Sequence, residues 1–164
     1  MPTVAAIPKI EGKNHVGYKQ LWGAPASDVS AIAAASSGDV ASAITMVSTK
    51  VFYELPLDPE AGAFLTTEGS NQEGTTGHMY TLNAFLAGKS AAQRAAADQW
   101  DGVYGIWIGR RMDDTYEIIG EVGRGLRLIF NQEESKGGRS GLSATGSMDY
   151  NHLPYEYSDE TIAT

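Results

Sequence analysis

The sequence predicts a mainly β fold: an antiparallel β-sandwich or barrel with one flanking α-helix at about 90–100 and a long projecting hairpin loop. Three observations carry that prediction. Short runs of β-branched and aromatic residues recur between glycines, of which there are 19. A single segment has a helix signature, Ser90-Ala91-Ala92-Gln93 ahead of an alanine-rich run. Between two strand-like runs, Glu68 to Gly77 is wholly polar and has no apolar anchor.

Taken in order, residues 1–40 read as an N-terminal arm or irregular segment, with room for one short strand between Ile7 and Trp22. Ser27 to Ser37 suits either a short capped helix or a packed loop. The β domain spans 41–157. Ile44 to Leu55 reads as one pleated strand, ended by Pro56 and Pro59, which cannot donate to a ladder. Ala63 to Thr67 and His78 to Leu86 are the next strands, the latter with Tyr80, Leu82, Ala84 and Leu86 on one face. The segment between them is too long for a tight turn and is expected to be a mobile, projecting loop. Ser90 caps a helix that Gly102 stops, its buried face expected to be mostly alanine with Trp100 as anchor.

Val103 to Met112, Tyr116 to Val122, Leu126 to Phe130 and Leu142 to Tyr150 complete an antiparallel meander, with a turn at Asp113-Asp114 and a polar loop at Gln132 to Ser140. Residues 158–164 read as a flexible tail.

Composition bounds the function. A chain of 164 residues with 42% apolar and 20% charged residues fits one folded domain. Twelve basic against 20 acidic residues give a formal charge of −8, which disfavours sequence-independent nucleic-acid binding. With no cysteine there is no disulfide, thiol nucleophile or thiolate metal site. The start, Met1 to Lys9, lacks a basic region followed by a long apolar run, and no window resembles a membrane span. A protein made in the cytoplasm, with no membrane partner, is the expectation.

Motifs for catalysis or cofactors fail on spacing. Gly88-Lys89-Ser90 lies where a phosphate loop would, but Asn83 stands where that pattern needs glycine. Gly120 to Gly125 has the wrong spacing for a dinucleotide loop and no helix after it. His15, His78 and His152 show no metal-ligand spacing, and Asp113-Asp114 reads as a turn rather than paired acids. Arg110-Arg111 reads as a solvated strand end neutralised by those acids. No Gly-x-Ser-x-Gly elbow exists. No catalytic residue, metal or cofactor is expected. One charge pattern survives: between Val51 and Gly88 lie Glu54, Asp58, Glu60, Glu68 and Glu73, with no Lys or Arg. Such a surface either repels polyphosphate and faces a basic patch on a neighbour, or simply aids solubility.

From residue 44 to 157 the order of elements resembles the tail tube proteins of tailed bacteriophages. The resemblance rests on the helix Ser90 to Trp100, the strand Val103 to Gly109, and Thr115-Tyr116-Glu117-Ile118-Ile119-Gly120-Glu121. Gly125-Leu126-Arg127-Leu128-Ile129-Phe130, Gly146-Ser147-Met148-Asp149-Tyr150 and Leu153-Pro154-Tyr155-Glu156-Tyr157 complete it. It implies a virion structural protein that self-assembles into stacked rings, hexameric as a rule, whose inner strands join into one barrel. It further implies an acidic lumen through which DNA passes without binding during ejection, and tape-measure, terminator and baseplate proteins as partners.

Under that resemblance Glu68, Gly69, Ser70, Asn71, Gln72, Glu73 and Gly74 form an inter-ring loop. Glu54, Asp58, Glu60, Glu68 and Glu73 line the lumen or an interface, and the strands Ile44 to Leu55 and Ala63 to Leu86 are candidates for the inner wall. A β-sandwich capsid decoration or head–tail joining protein is the alternative, and a soluble enzyme with converging His, Asp and Ser residues the third.

Overall fold

The computed structural model describes residues 17–59, 62–70, 77–88, 90–134 and 140–164. It is mainly β with one helix. The strands are β1 (Tyr18–Pro25), β2 (Val29–Ala31), β3 (Asp39–Val40), β4 (Thr45–Met46), β5 (Tyr53–Leu55), β6 (Ala63–Gly69) and β7 (His78–Ala87). After α1 (Ala91–Gln99) come β8 (Tyr104–Arg111), β9 (Tyr116–Ile119), β10 (Leu126–Arg127), β11 (Ile129–Glu134), β12 (Ser140–Tyr150) and β13 (Tyr155–Tyr157).

Eleven of them form one sheet in the order β11-β12-β7-β6-β1-β8-β9-β13-β3, with β10 on β8 and β5 on β1; β2 and β4 pair separately. Only β13 and β3 run parallel. The segment from Leu126 to Glu134 pairs with β8 at its start and with β12 at its end, with Leu128 buried between. Where it crosses β12, Gly146 leaves no space for a side chain: a Cβ there would lie 2.0 Å from the Arg127 carbonyl oxygen.

The core follows from period-two alternation along β1, β8 and β9. Leu21, Trp107 and Ile119 point to one side, against Tyr80, Leu82, Ala84 and Leu86 of β7 and Leu142, Ala144 and Tyr150 of β12. Trp22, Ala24, Ile106, Ile108 and Ile118 point to the other, against Val29, Val40, Ile44, Phe52 and Tyr157. These three strands are therefore buried on both faces. Trp107 lies across Gly23, its register partner, and donates from Nε1 to the Leu126 carbonyl at 2.8 Å.

The helix begins as its sequence requires. Gln93 N–H donates to Ser90 Oγ at 3.2 Å and Ser90 N–H to Gln93 Oε1 at 2.9 Å, closing the capping box. Its packing is sparser than the alanine run suggests: no α1 residue is buried, and Ala97 and Trp100 alone rest on the core. Asp113-Asp114 forms the expected turn, with Asp114 at φ 69° and Asp113 Oδ1 accepting from Thr115 N–H and Oγ1.

Four expectations need correction. Ile44 to Leu55 is not one strand: β4 joins β2 and β5 joins β1, because the chain reverses between Val47 and Lys50, with Thr49 at φ 65°. An arm or irregular segment over 1–40 does not describe β1, a central strand whose burial on both faces erases the alternation that would announce it. Residues 158–164 are not a free tail. Tyr157 Oη donates to the Thr161 carbonyl at 2.6 Å, Phe52 N–H to that of Ala163 at 2.7 Å, and Ile162 packs on the second core. Finally, Leu126 to Phe130 breaks at Leu128 into two strands, and the second runs on to Glu134 inside what reads as a polar loop.

A Cβ at Gly23 would come within 2.2 Å of Cζ3 of the fully buried Trp107. Gly23→Ala is expected to destabilise the fold by about 1–3 kcal/mol, measured as a lowered urea midpoint. An unchanged midpoint would show that the indole has room to tilt.

Candidate functional site

The strands β6, β7, β12 and β11 form a four-stranded antiparallel sheet whose inner face is the first core. Register fixes what the outer face carries. Along β7 the outward residues are Met79, Thr81, Asn83 and Phe85; across from them on β12 stand Asp149, Ser147, Thr145 and Ser143. Glu68, Thr66 and Phe64 of β6 extend the same rows, as do Ile129, Asn131 and Glu133 of β11. Thr145 Oγ1 donates to Asn83 Oδ1 at 3.1 Å, and the Thr81 and Ser147 hydroxyls lie 3.2 Å apart. Hydroxyls and amides thus occupy the middle of the face. Glu68 and Asp149 share one end row, about 9–10 Å apart across two strand spacings, and Glu133 lies at the opposite end. Among the described residues of this face there is no Lys or Arg.

Two sheet edges bound the face. Among the described residues β11 is the last strand of the sheet, and β6 meets β1 only at Ala63, opposite Tyr18. Each edge strand carries an exposed large apolar side chain, Phe64 on β6 and Ile129 on β11.

Of the acidic residues singled out from sequence, Glu68 alone is placed on this face. Glu54 lies on β5 opposite Trp22, where its Oε1 accepts from Gln20 Nε2 at 3.1 Å. Asp58 sits in the connection from β5 to β6, its N–H donating to the Phe85 carbonyl at 2.8 Å. Gly69 pairs with His78, and Ser70 N–H donates to the Gly77 carbonyl at 2.9 Å at the base of the hairpin. Glu60, Asn71, Gln72, Glu73 and Gly74 lie outside the described residues. Asp149 and Glu133 are the residues that sequence reasoning missed. Pairing β12 with β7 and β11 with β12 in the correct register was the signal that would have found them.

The titratable interior is separate from this face. Glu117 is buried and takes the Tyr18 hydroxyl at 2.5 Å and Arg111 Nη2 at 2.8 Å. Arg111 therefore pairs with Glu117, while Arg110 Nη2 pairs with Asp114 at 2.7 Å, rather than both resting on the turn acids. Burial, followed by the Glu117 charge, pushes the Tyr18 phenol well up. Burial also raises Tyr80, Tyr150 and Tyr157.

A cavity of about 430 Å³ between α1 and the sheet is walled chiefly by Leu55, Leu86, Trp100, Val103 and Phe130, with Glu54 the one carboxylate among its described lining residues. Among the described residues no group of His, Asp and Glu could hold a metal ion, and no helix is long and apolar enough to cross a membrane.

Comparison with known proteins found no matching family model, no matching curated protein and no matching solved structure.

Tyr18, Tyr80, Tyr150 and Tyr157 hold their protons more tightly folded than unfolded. Their contribution is thus complete below about pH 10, the unfolded value, and is lost as pH rises beyond it. An ultraviolet titration is expected to show these four of the eight tyrosines ionising together with unfolding. Normal ionisation of all eight in a still-folded protein would contradict their burial.

Proposed function

We propose that this chain is a structural subunit that assembles with copies of itself into stacked rings forming a phage tail tube. The polar face of β6, β7, β12 and β11 lines the bore. The observation that carries the proposal is a sheet face with no Lys or Arg among its described residues, with carboxylates at both ends and strands β6 and β11 at its two sides. A bore of this kind lets DNA pass: with no Lys or Arg to displace counterions, phosphate gains nothing by binding, and each ring repeats the three carboxylates. Strand direction suits closure as well. Four antiparallel strands alternate, so β6 of one copy and β11 of the next run antiparallel around a ring. Joining them would satisfy edges that otherwise invite aggregation and would bring the edge residues Phe64 and Ile129 onto neighbouring strands of one face.

In this proposal the circuit from β8 through Leu126–Glu134, β12, β7 and β6 to β1 is the subunit's barrel. The hairpin between β6 and β7 is the contact to the adjacent ring, with Glu68, Gly69 and Ser70 at its base. The wall shifts relative to the sequence expectation: β6 and β7 stay, β11 and β12 join, and Ile44 to Leu55 leaves. The assembled protein belongs to the virion tail and meets tape-measure, terminator and baseplate proteins there.

Negative-stain electron microscopy over a concentration series is expected to show rings or tubes with a central hole, and Ile129→Lys is expected to abolish them while leaving the thermal midpoint within a few degrees. Folded monomer at every concentration would overturn the proposal and favour a decoration or head–tail joining protein bound to preformed capsids. In assembled material the triple variant Glu68→Lys, Glu133→Lys, Asp149→Lys is expected to retain DNA in low salt where the parent does not. Assembly without DNA retention would place the bore on another face.

A further inference from the structure

The two ends of β7 carry unlike surfaces, about 30 Å apart for a ten-residue strand. At the Ala87 end, Leu86 and Leu142 are register partners and both wall the cavity of about 430 Å³ under α1. The helix is fastened there by Gln93 Nε2, which donates to the Ala87 carbonyl at 2.7 Å. Arg94, the next residue, is exposed at the same end. Among the described residues its guanidinium has no carboxylate, carbonyl or ring partner. Every other described Lys or Arg has one: Lys19 and Arg110 hold Asp114, Lys50 holds Asp28, Arg111 holds Glu117, Arg127 holds Asp101, and Arg124 holds the Asp149 carbonyl.

The hairpin end is the complement. Tyr150 pairs with His78, Tyr80 Oη donates to the His152 carbonyl, and His152 Nε2 lies 2.5 Å from Glu121 Oε1. Leu153 and Val122, the sequence neighbours of His152 and Glu121, therefore lie at this end, and they are 56% and 47% exposed. Glu68 and Asp149 share the end row of the sheet beside them. One end thus has an apolar hollow and an unpartnered cation; the other has apolar projections and carboxylates.

We propose that these are the two halves of one contact between copies, the helix end of one copy receiving the hairpin end of the next. Leu153, with Val122 beside it, enters the hollow under α1, and Arg94 meets the Glu68 and Asp149 carboxylates. Filling an apolar space recovers the dispersion contacts that its walls lack. Charge sets the direction. Stacking also carries Glu133, at the helix end, toward the next copy's carboxylates, and Arg94 is the described cation that offsets this repulsion. Because the joined surfaces are unlike, the contact is heterologous: each added copy leaves a free half, and the series repeats without closing. The inference rests on the self-assembly proposed above and supplies its axial contact, while the β6 and β11 edges close the rings.

The test compares full-length variants by sedimentation and negative-stain microscopy. Arg94→Glu is expected to raise the concentration at which stacks appear about tenfold in about 0.01 M salt, and much less in about 1 M salt, where surface charges are screened. Exchanging the charges, with Arg94→Glu, Glu68→Arg and Asp149→Arg in one chain, is expected to restore stacking in low salt. Leu153→Ser is expected to weaken it about tenfold at both salt concentrations. Stacks unchanged by Arg94→Glu and Leu153→Ser, or rings of the parent that never stack, would overturn this contact and leave ring closure standing. Filaments one copy wide would support the contact and count against the rings; folded monomer throughout would overturn both. Should a variant fail to fold, single cysteines decide, since the chain has none of its own. Mixed Leu153→Cys and Gln99→Cys chains, the latter at the cavity wall, are expected on oxidation to give the mixed disulfide in excess over either like pair; no such excess would overturn the inference.

Discussion

Everything in this structure leans on the pairing of β1 with β8. Seven residue pairs from Tyr18↔Arg111 to Pro25↔Gly105 bring together the two strands that separate the cores. Trp107 can lie flat across β1 only because Gly23 has no side chain, and its indole N–H then has a single buried acceptor, the Leu126 carbonyl. That bond fixes where Leu126–Glu134 leaves β8, and thus the register with which it reaches β12. The polar outer face inherits this register: one residue of slip along β11 would turn Asn131 inward and Phe130 outward.

The two sides of the β6-β7-β12-β11 sheet are chemically opposite, and the physical cause is the pleat. Inward positions meet Leu21, Trp107 and Leu126 and must be apolar to gain from burial. Outward positions face no other layer of the sheet among the described residues. Among the described residues the face carries hydroxyls and amides in its middle, carboxylates at both ends and the apolar Phe64, Met79, Phe85 and Ile129, with no Lys or Arg. A solubilising surface needs no exclusion of cations, and most surfaces mix both signs.

Charge elsewhere is used for fastening. Arg110 with Asp114, Arg111 with Glu117 and Arg127 with Asp101 each join neighbouring segments. Arg124 and His152 tie the end of β12 to a turn. Among the described residues these basic side chains are thus engaged within the chain.

Local rules settled whatever depends on near neighbours. The capping box at Ser90 and Gln93, the turn at Asp113-Asp114, the alternation of β7 and the mainly β class all follow from residues within a few positions of one another. The buried strand β1, the break inside Ile44 to Leu55 and the anchored residues 158–164 do not, because each is held by partners far away in sequence: Arg110 for Gln20, Asp28 for Val47, Phe52 for Ala163. For the candidate site, Glu68 was legible as an acid beside a polar loop. Asp149 and Glu133 joined it only through two strand registers that no local pattern encodes. Sequence alone determined which segments could be strands and the sign of the surface charge. Tertiary pairing decided which of those charges share a face, since a one-residue shift in any ladder would send them to opposite sides.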